Sequence, residues 1–192
     1  EVRYLKQIEN MKNTLLILLA LIPFLGITQG KTTIKIKAKK SRGEVVYLQK
    51  ADKNKQIVID SAKFNLFGVA KLTTEVANTD YYQITKTQKD GIPLILKGDE
   101  TIKIKTSNDL VTDYSITGSK DSELLHAYFG VKNNKKITKD SLTKYAEKYV
   151  EENYKSLAVF IALGDIKDRK KYFELAEKGI GELIDAQKAK LK

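Results

Sequence analysis

The side chains most able to do chemistry in this sequence are a single histidine and a few carboxylates in its second half. His126 has no second histidine and no cysteine to complete a metal-ligand set, so we interpret it as an ordinary helix residue. Glu151 and Glu152 are adjacent on a predicted helix and point in different directions, which suits solvent better than paired-carboxylate catalysis. Asp165 and Asp168 fit turn and helix-cap roles. We therefore predict no catalytic, cofactor-binding or metal-binding residue.

Cysteine is absent from the sequence, which excludes several chemistries at once. The chain has no disulfide, thiol nucleophile, thiolate metal site or redox dithiol of its own. It also lacks a serine nucleophile elbow, a glycine-rich phosphate loop and a zinc-binding helix motif. Tyr145, Tyr149 and Tyr154 could line a ligand groove, but their helical spacing favours packing in a core.

The net charge of +11 comes almost wholly from lysine and is spread along the chain. A lysine excess of this kind usually reflects a solvated surface. The sequence has no arginine cluster and no basic motif interleaved with aromatic residues, so we expect no nucleic-acid partner. A surface for nucleic acid or for an anionic membrane is the alternative that this charge leaves open.

Residues 1–30 have the pattern of upstream residues followed by a secretory signal peptide. Met11 and Lys12 precede an apolar run from Leu15 to Leu25, which is too short to span a membrane as a helix, and a small or polar exit follows. We predict cleavage near residues 29–31 and export to the periplasm or cell envelope, with no membrane span in the mature chain. Residues 1–10 are interpreted as lying upstream of the true start. A buried helix is the alternative for the apolar run.

The run from Ile92 to Thr106 carries the clearest β pattern. Its first limb is apolar on both faces, while Ile102 and Ile104 alternate with lysines in the second limb. Gly98 and Asp99 accept positive φ, so this pattern predicts a hairpin of two paired strands.

Other β-patterned segments surround this run, and turn residues separate them. The half-buried strand 33–39 has a lysine face that would also protect a sheet edge. A strand at 63–72 would place Phe64, Leu66 and Val69 on one side, with Gly68 as a bulge. The remaining predicted strands are 44–50, 56–61, 81–87 and 113–117, and Ile57 and Ile59 of 56–61 are among the predicted core residues. We predict an antiparallel β-sandwich or open barrel of seven to eight short strands over residues 31–118.

At Gly118 the period changes from two to that of a helix. Ser119 and Thr138 are predicted N-caps of the first two helices, and 157–163 is a short buried helix. A fourth helix would begin after Asp168 and stop near Gly179, and a fifth would span 182–192. The chain is thus predicted to be of α+β class, with a bundle of four to five helices over 119–192.

The order of these parts resembles the front half of periplasmic thiol-disulfide oxidoreductases of the TlpA-like, AhpC/TSA-type thioredoxin family. The resemblance rests on the segments EVVYLQKADKNKQIVIDSAKFNLFG, IPLILKGDETIKI, ITGSKDSELLHAYF and YVEENYKSLAVFIAL, and it covers about Lys31 to Lys192. In that family a β domain of unknown function and a helical linker precede a thioredoxin domain, whose Cys-x-x-Cys pair carries the activity. This chain has no such pair, so the resemblance implies no catalytic residue here.

The resemblance implies a non-catalytic accessory module that positions or dimerises an exported thioredoxin-like redox domain or contacts its substrates. The chain would be a stand-alone copy of that module or a copy truncated at Lys192. Its expected partners are a protein, a missing C-terminal thioredoxin domain or a second copy in a homodimer. The alternative is a stand-alone envelope domain that binds a ligand or protein and has no redox role.

Overall fold

The computed structural model describes residues 30–52, 55–86, 91–106 and 113–190, and it describes the side chains of all of these except 52 and 182–190. Eight strands in two sheets precede four helices in this part of the chain, which confirms the predicted α+β class. The predicted apolar run from Leu15 to Leu25 and its cleavage site lie outside the described residues, as does the apolar Leu191. No described helix is long and apolar enough to cross a membrane.

The two sheets form a β-sandwich with four strands each. Sheet A has the order β4-β1-β7-β8 and sheet B has the order β3-β2-β5-β6. All described pairs are antiparallel except β1 with β7, which run parallel. The strands are β1 (Gly30–Ala38), β2 (Val45–Asp52), β3 (Lys55–Lys63), β4 (Val69–Val76), β5 (Asp80–Thr85), β6 (Gly91–Leu96), β7 (Thr101–Thr106) and β8 (Tyr114–Thr117).

The core of the sandwich follows the alternating pattern of the sequence. Ile34 and Ile36 of β1 lie beside Ile102 and Ile104 of β7, and all four side chains are fully buried. The apolar side chains of sheet B pack against them because period-two alternation places every second residue on the inner face. The buried set from sheet B includes Val46, Leu48, Ile84, Ile92, Leu94 and Leu96.

The hairpin predicted around Gly98 and Asp99 is wrong, although both residues do adopt positive φ. The strands on either side belong to different sheets, since β6 pairs with β5 and β7 pairs with β1 and β8. The two left-handed residues therefore turn the chain across the sandwich. Local turn chemistry specified the bend, but not which strands would pair.

The predicted strand 63–72 is interrupted, so the prediction is right for residues 69–72 of β4 and wrong for residues 64–68. Residues 64–68 form a turn between β3 and β4, and Gly68 occupies a left-handed conformation (φ +68°) in that turn rather than a bulge. Phe64 is buried as expected, but Leu66 is exposed to solvent.

Strand β1 lies between β4 and β7 at the centre of sheet A. Its alternating lysines therefore do not protect a sheet edge, which corrects the role expected for them.

The four helices are α1 (Lys120–Lys132), α2 (Lys139–Asn153), α3 (Val159–Ala162) and α4 (Arg169–Lys190). Ser119 and Thr138 cap α1 and α2 as predicted, because their side-chain oxygens accept the amides of Ser122 and Ser141. The two helices predicted on either side of Gly179 are one continuous helix. A Cβ at Gly179 would lie 2.1 Å from the carbonyl oxygen of Tyr154, so this glycine permits close packing instead of ending the helix.

The helices build a second core on the outer face of sheet B. Ile95 of β6 is fully buried in this second core together with Leu125, Tyr128 and Val150, and the hydroxyl of Tyr81 donates a hydrogen bond to the carbonyl of Leu157. The predicted domain boundary at Gly118 lies just before the start of α1. The helical core on the C-terminal side of this boundary also contains Tyr81 of β5 and Ile95 of β6.

Candidate interaction surface

His126 lies on α1 and packs its ring against Tyr114 of β8, with ring centroids 4.5 Å apart. Burial lowers the pKa of His126 below its ordinary value. No group of three or more histidine, aspartate or glutamate side chains that could hold a metal ion occurs among the described residues.

Glu151 and Glu152 are exposed at the end of α2 and do not converge. Glu151 pairs with Lys171 of α4 at 3.1 Å, and Glu152 pairs with Lys148 one turn earlier at 3.6 Å. Exposed ion pairs of this kind contribute little to stability.

Asp165 lies in a 3₁₀ turn before α4 and joins three parts of the helical segment. Its carboxylate accepts hydrogen bonds from the Tyr128 hydroxyl and the Lys132 ammonium, both at 2.8 Å, and its carbonyl accepts one from Thr143. Burial acts to raise the pKa of Asp165, but the hydrogen bonds from Lys132 and Tyr128 outweigh it and hold that pKa below its usual range. Asp168 immediately precedes α4, at the predicted cap position.

The tyrosines of α2 contribute mainly to the helical core. Tyr145 and Tyr149 pack against Tyr128, with ring centroids 5.8 and 4.8 Å away, and burial raises the pKa of all three hydroxyls. Tyr154 instead lines a cavity of about 310 Å³ between the β4–β5 connection and the helices. The wall of this cavity mixes both charge signs, including Lys97, Lys120, Asp121 and Glu152.

Two outer strands have edge groups satisfied by side chains. On β6, the buried hydroxyl of Ser122 accepts the Ile95 amide at 3.0 Å and donates to the Ile95 carbonyl at 2.8 Å, as a neighbouring strand would. On β4, the amide of Thr73 donates to the carboxylate of Asp60 at 2.8 Å. These bonds occupy edge groups that would otherwise be free to pair with another strand.

The first half of β3 is more exposed than these two strands. Strand β3 forms the other edge of sheet B, and Ile57, Val58 and Ile59 are 43%, 52% and 41% exposed. The pairing of β2 with β3 shifts between Leu48 and Gln49, so Ile59 has no partner in the register. We call residues 55–59 the β3 arm. The core positions predicted for Ile57 and Ile59 are wrong, because both side chains are more than 40% exposed.

A second cavity, of about 270 Å³, adjoins the β3 arm. Ile59 lines it together with Lys50, Thr74, Asp80 and Tyr82, and Lys50 pairs with Asp80 at 2.7 Å within its wall. The arm therefore presents aliphatic side chains beside a small polar recess.

The described residues form a β-sandwich. The helical segment packs on sheet B at β6, and the partly uncovered aliphatic strand β3 forms the other edge of that sheet. Residues 31–125 match the family model described as "Domain of unknown function (DUF4369)", so the chain contains a DUF4369 domain that ends within α1. A search of curated proteins finds no match to the chain.

Proposed function

We propose that this chain is a non-catalytic accessory module of an exported thioredoxin-like thiol-disulfide oxidoreductase system, which dimerises and so positions a redox domain. The proposal joins two lines of support. The sequence resembles the β domain and helical linker of such proteins, and the matched DUF4369 domain bears the exposed β3 arm. The site of action would be the periplasm or cell envelope, after cleavage of residues 1–30.

The observation that carries the proposal is the run of three exposed aliphatic side chains on an edge strand. An edge strand offers unpaired backbone groups as a template for another strand, and exposed aliphatic residues there favour association. On the outer strands β6 and β4, Ser122 and Asp60 occupy such groups. The β3 arm differs in presenting both backbone and apolar surface.

A second copy of the chain is a suitable partner for this arm. Antiparallel pairing of two β3 strands about Val58 would place Ile57 opposite Ile59 of the other copy, and Lys55 opposite Ser61. Within residues 55–61 no like charges face each other in that register, and the pair has the two-fold symmetry usual for homodimers.

The arrangement of sheet B makes such a dimer useful for positioning. The β3 arm is at one edge of the sheet, and α1 packs on β6 at the other edge. A dimer formed through β3 would therefore hold the two helical segments on its outer sides, where each could carry a redox domain.

Two experiments test the two halves of the proposal separately. Sedimentation velocity of the full chain should show a concentration-dependent dimer. Val58→Lys should disrupt this dimer, whereas Ser115→Lys, at an exposed position of β8, should leave it intact. A dimer unaffected by Val58→Lys would refute the role of β3. For the redox link, the gene should encode an in-frame Trp-Cys-x-x-Cys after Lys192, or the chain should bind a thioredoxin-like protein from the same envelope; failure of both would refute that link.

A stand-alone ligand-binding domain is the second candidate, and the cavity of about 310 Å³ supports it. That volume lies at the lower end for small-molecule sites. A small molecule that raises the melting temperature of the wild-type chain and of Lys144→Ala, but not of Lys120→Ala, would favour this function over the accessory role.

A further inference from the structure

Five exposed lysines lie together on the outer face of sheet A. The register places Lys71, Lys35 and Lys103 side by side on β4, β1 and β7, and Lys37 lies beside Lys105 in the next row. Neighbouring strands are about 4.8 Å apart, so the row of three spans roughly 10 Å. We call these five residues the lysine face.

The lysine face is an unfavourable arrangement for an isolated sheet. Like charges directly opposite each other on neighbouring strands are destabilising. Edge protection does not explain them, because β1 is a central strand. The ion pairs of the described residues use other lysines: Lys50, Lys86, Lys132, Lys148, Lys167 and Lys171. Glu75 of β4, an acidic residue on this face, lies opposite Lys31 at the far end.

Two large apolar side chains project from the turn that leads into this face. Leu66 and Phe67 are 83% and 78% exposed, the highest values among the exposed large apolar residues of the described chain. The Asn65 side chain accepts the amides of Phe67 and Val69, and the Gly68 amide donates to the Asn65 carbonyl. The turn is therefore a fixed support for two exposed apolar groups.

The turn and the lysine face lie at the same end of the sandwich. Val69, the residue after the turn, pairs with Lys37 in the row that also contains Lys105. The Gly68 carbonyl accepts the Ala38 amide, which brings the turn beside the 3₁₀ turn that follows β1. That second turn and the residue after it add three more exposed cations, Lys39, Lys40 and Arg42.

From this geometry we propose that the lysine face and the Leu66–Phe67 turn together dock on an anionic phospholipid bilayer. The two apolar side chains enter the interface, and the lysines contact acidic headgroups. Each signal alone gives marginal binding, and stable attachment requires an apolar anchor combined with a basic patch. This inference goes beyond the accessory role proposed above and does not depend on it.

A bilayer fits these features better than other polyanions. Single-stranded nucleic acid is bound through several stacking aromatics, and readout of duplex DNA bases most often uses bidentate arginine, whereas the exposed aromatic beside this face is Phe67 and the cations of its strands are lysines. An acidic protein would pair with the lysines but would leave the two projecting side chains without a site.

A site-specific probe gives the most direct test. Because the chain has no cysteine, Leu66→Cys places a single thiol on the turn for an environment-sensitive NBD label. The apolar run at 15–25 could itself associate with lipid, so the readout must report residue 66 and not total binding. In the full chain, we expect the label to shift to the blue with vesicles of phosphatidylcholine and phosphatidylglycerol at 70:30, and not with pure phosphatidylcholine. The same label on Phe173→Cys, an exposed apolar position on α4, should not respond.

Charge-matched variants separate the lysine face from general electrostatics. In the chain labelled at position 66, Lys35→Gln, Lys71→Gln and Lys103→Gln combined should raise the lipid concentration for half-maximal response roughly 100-fold, at about fivefold per lysine, or reduce its amplitude to that of the label at position 173. Lys144→Gln, Lys170→Gln and Lys178→Gln combined remove the same charge from the helices and should leave the response unchanged. An absent response of the label at position 66, equal effects of the two triple variants, or a stronger response to duplex DNA than to the vesicles would each overturn the proposal.

Discussion

The strongest prediction about stability concerns the hydrogen bonds between Ser122 and β6. Ser122 and Ile95 are both fully buried, and the serine hydroxyl is the partner of the Ile95 amide. Ser122→Ala removes that partner without adding bulk. The Ile95 carbonyl keeps the longer bond from Ser119, at 3.3 Å, so the main loss is one buried amide left without an acceptor.

A buried donor left unsatisfied costs about 1–3 kcal/mol. In a chain of this size that loss corresponds to a fall of roughly 2–4 °C in Tm for each kcal/mol. Urea unfolding followed by far-UV circular dichroism measures the free energy of unfolding, and hydrogen exchange at the Ile95 amide should become faster in the variant.

Ser115→Ala on β8 is the matched control, since that side chain is exposed, and its effect should stay within about 0.5 kcal/mol. A loss for Ser122→Ala within the same range, with unchanged exchange at Ile95, would refute the reasoning that the hydroxyl replaces a neighbouring strand.

Three further predictions concern Asp165, Gly179 and the absence of cysteine. Asp165→Asn should cost about 1–2 kcal/mol near neutral pH, after allowance for the partial exposure of Lys132. Because the folded pKa of Asp165 lies below its unfolded value, this contribution is lost as pH falls through the folded pKa, so the wild-type and variant unfolding curves should converge in acid. Gly179→Ala should cost about 1–3 kcal/mol in urea unfolding through its clash with Tyr154, whereas Gly181→Ala, with nothing within 4 Å of the new Cβ, should be neutral or stabilising; equal effects would contradict the packing role of Gly179. The purified chain should not reduce insulin disulfides above background, since it has no thiolate; activity that survives removal of contaminating thioredoxin would contradict this.

Local patterns in the sequence predicted most individual elements. Alternation along Ile34 and Ile36 identified β1 and its buried face, and the capping residues Ser119 and Thr138 located the first two helices. These features depend on residues near one another in the chain. Their physical causes, side-chain alternation and satisfaction of the first amides of a helix, are therefore visible without the fold.

Features set by contacts between distant segments could not be predicted in this way. Gly98 and Asp99 have the conformation of a tight turn, but whether the next strand pairs or crosses to the other sheet depends on partners far along the chain. Gly179 has the sequence pattern of a helix stop, but it lies inside a helix. The backbone of Tyr154 approaches so closely there that a residue with a Cβ would clash. Local propensity cannot distinguish these cases.

The candidate interaction surface shows the same division. The sequence predicted a strand around Val58, but it placed Ile57 and Ile59 in the core because their pattern matches that of a covered strand. Exposure depends on contacts with segments far along the chain, and those contacts leave Ile57 and Ile59 43% and 41% exposed although β4 of sheet A lines the same recess as Ile59.

Disulfide trapping through residue 58 tests the central claim most directly. Val58→Cys provides the only thiol of the chain, and pairing of two β3 strands about this residue would bring the two sulfur atoms together. Under mild oxidation we expect a disulfide-linked dimer that forms much faster than with Ser115→Cys, a thiol at an exposed position of β8. Cross-linking at position 58 that is no faster than at position 115 would contradict a dimer formed through β3.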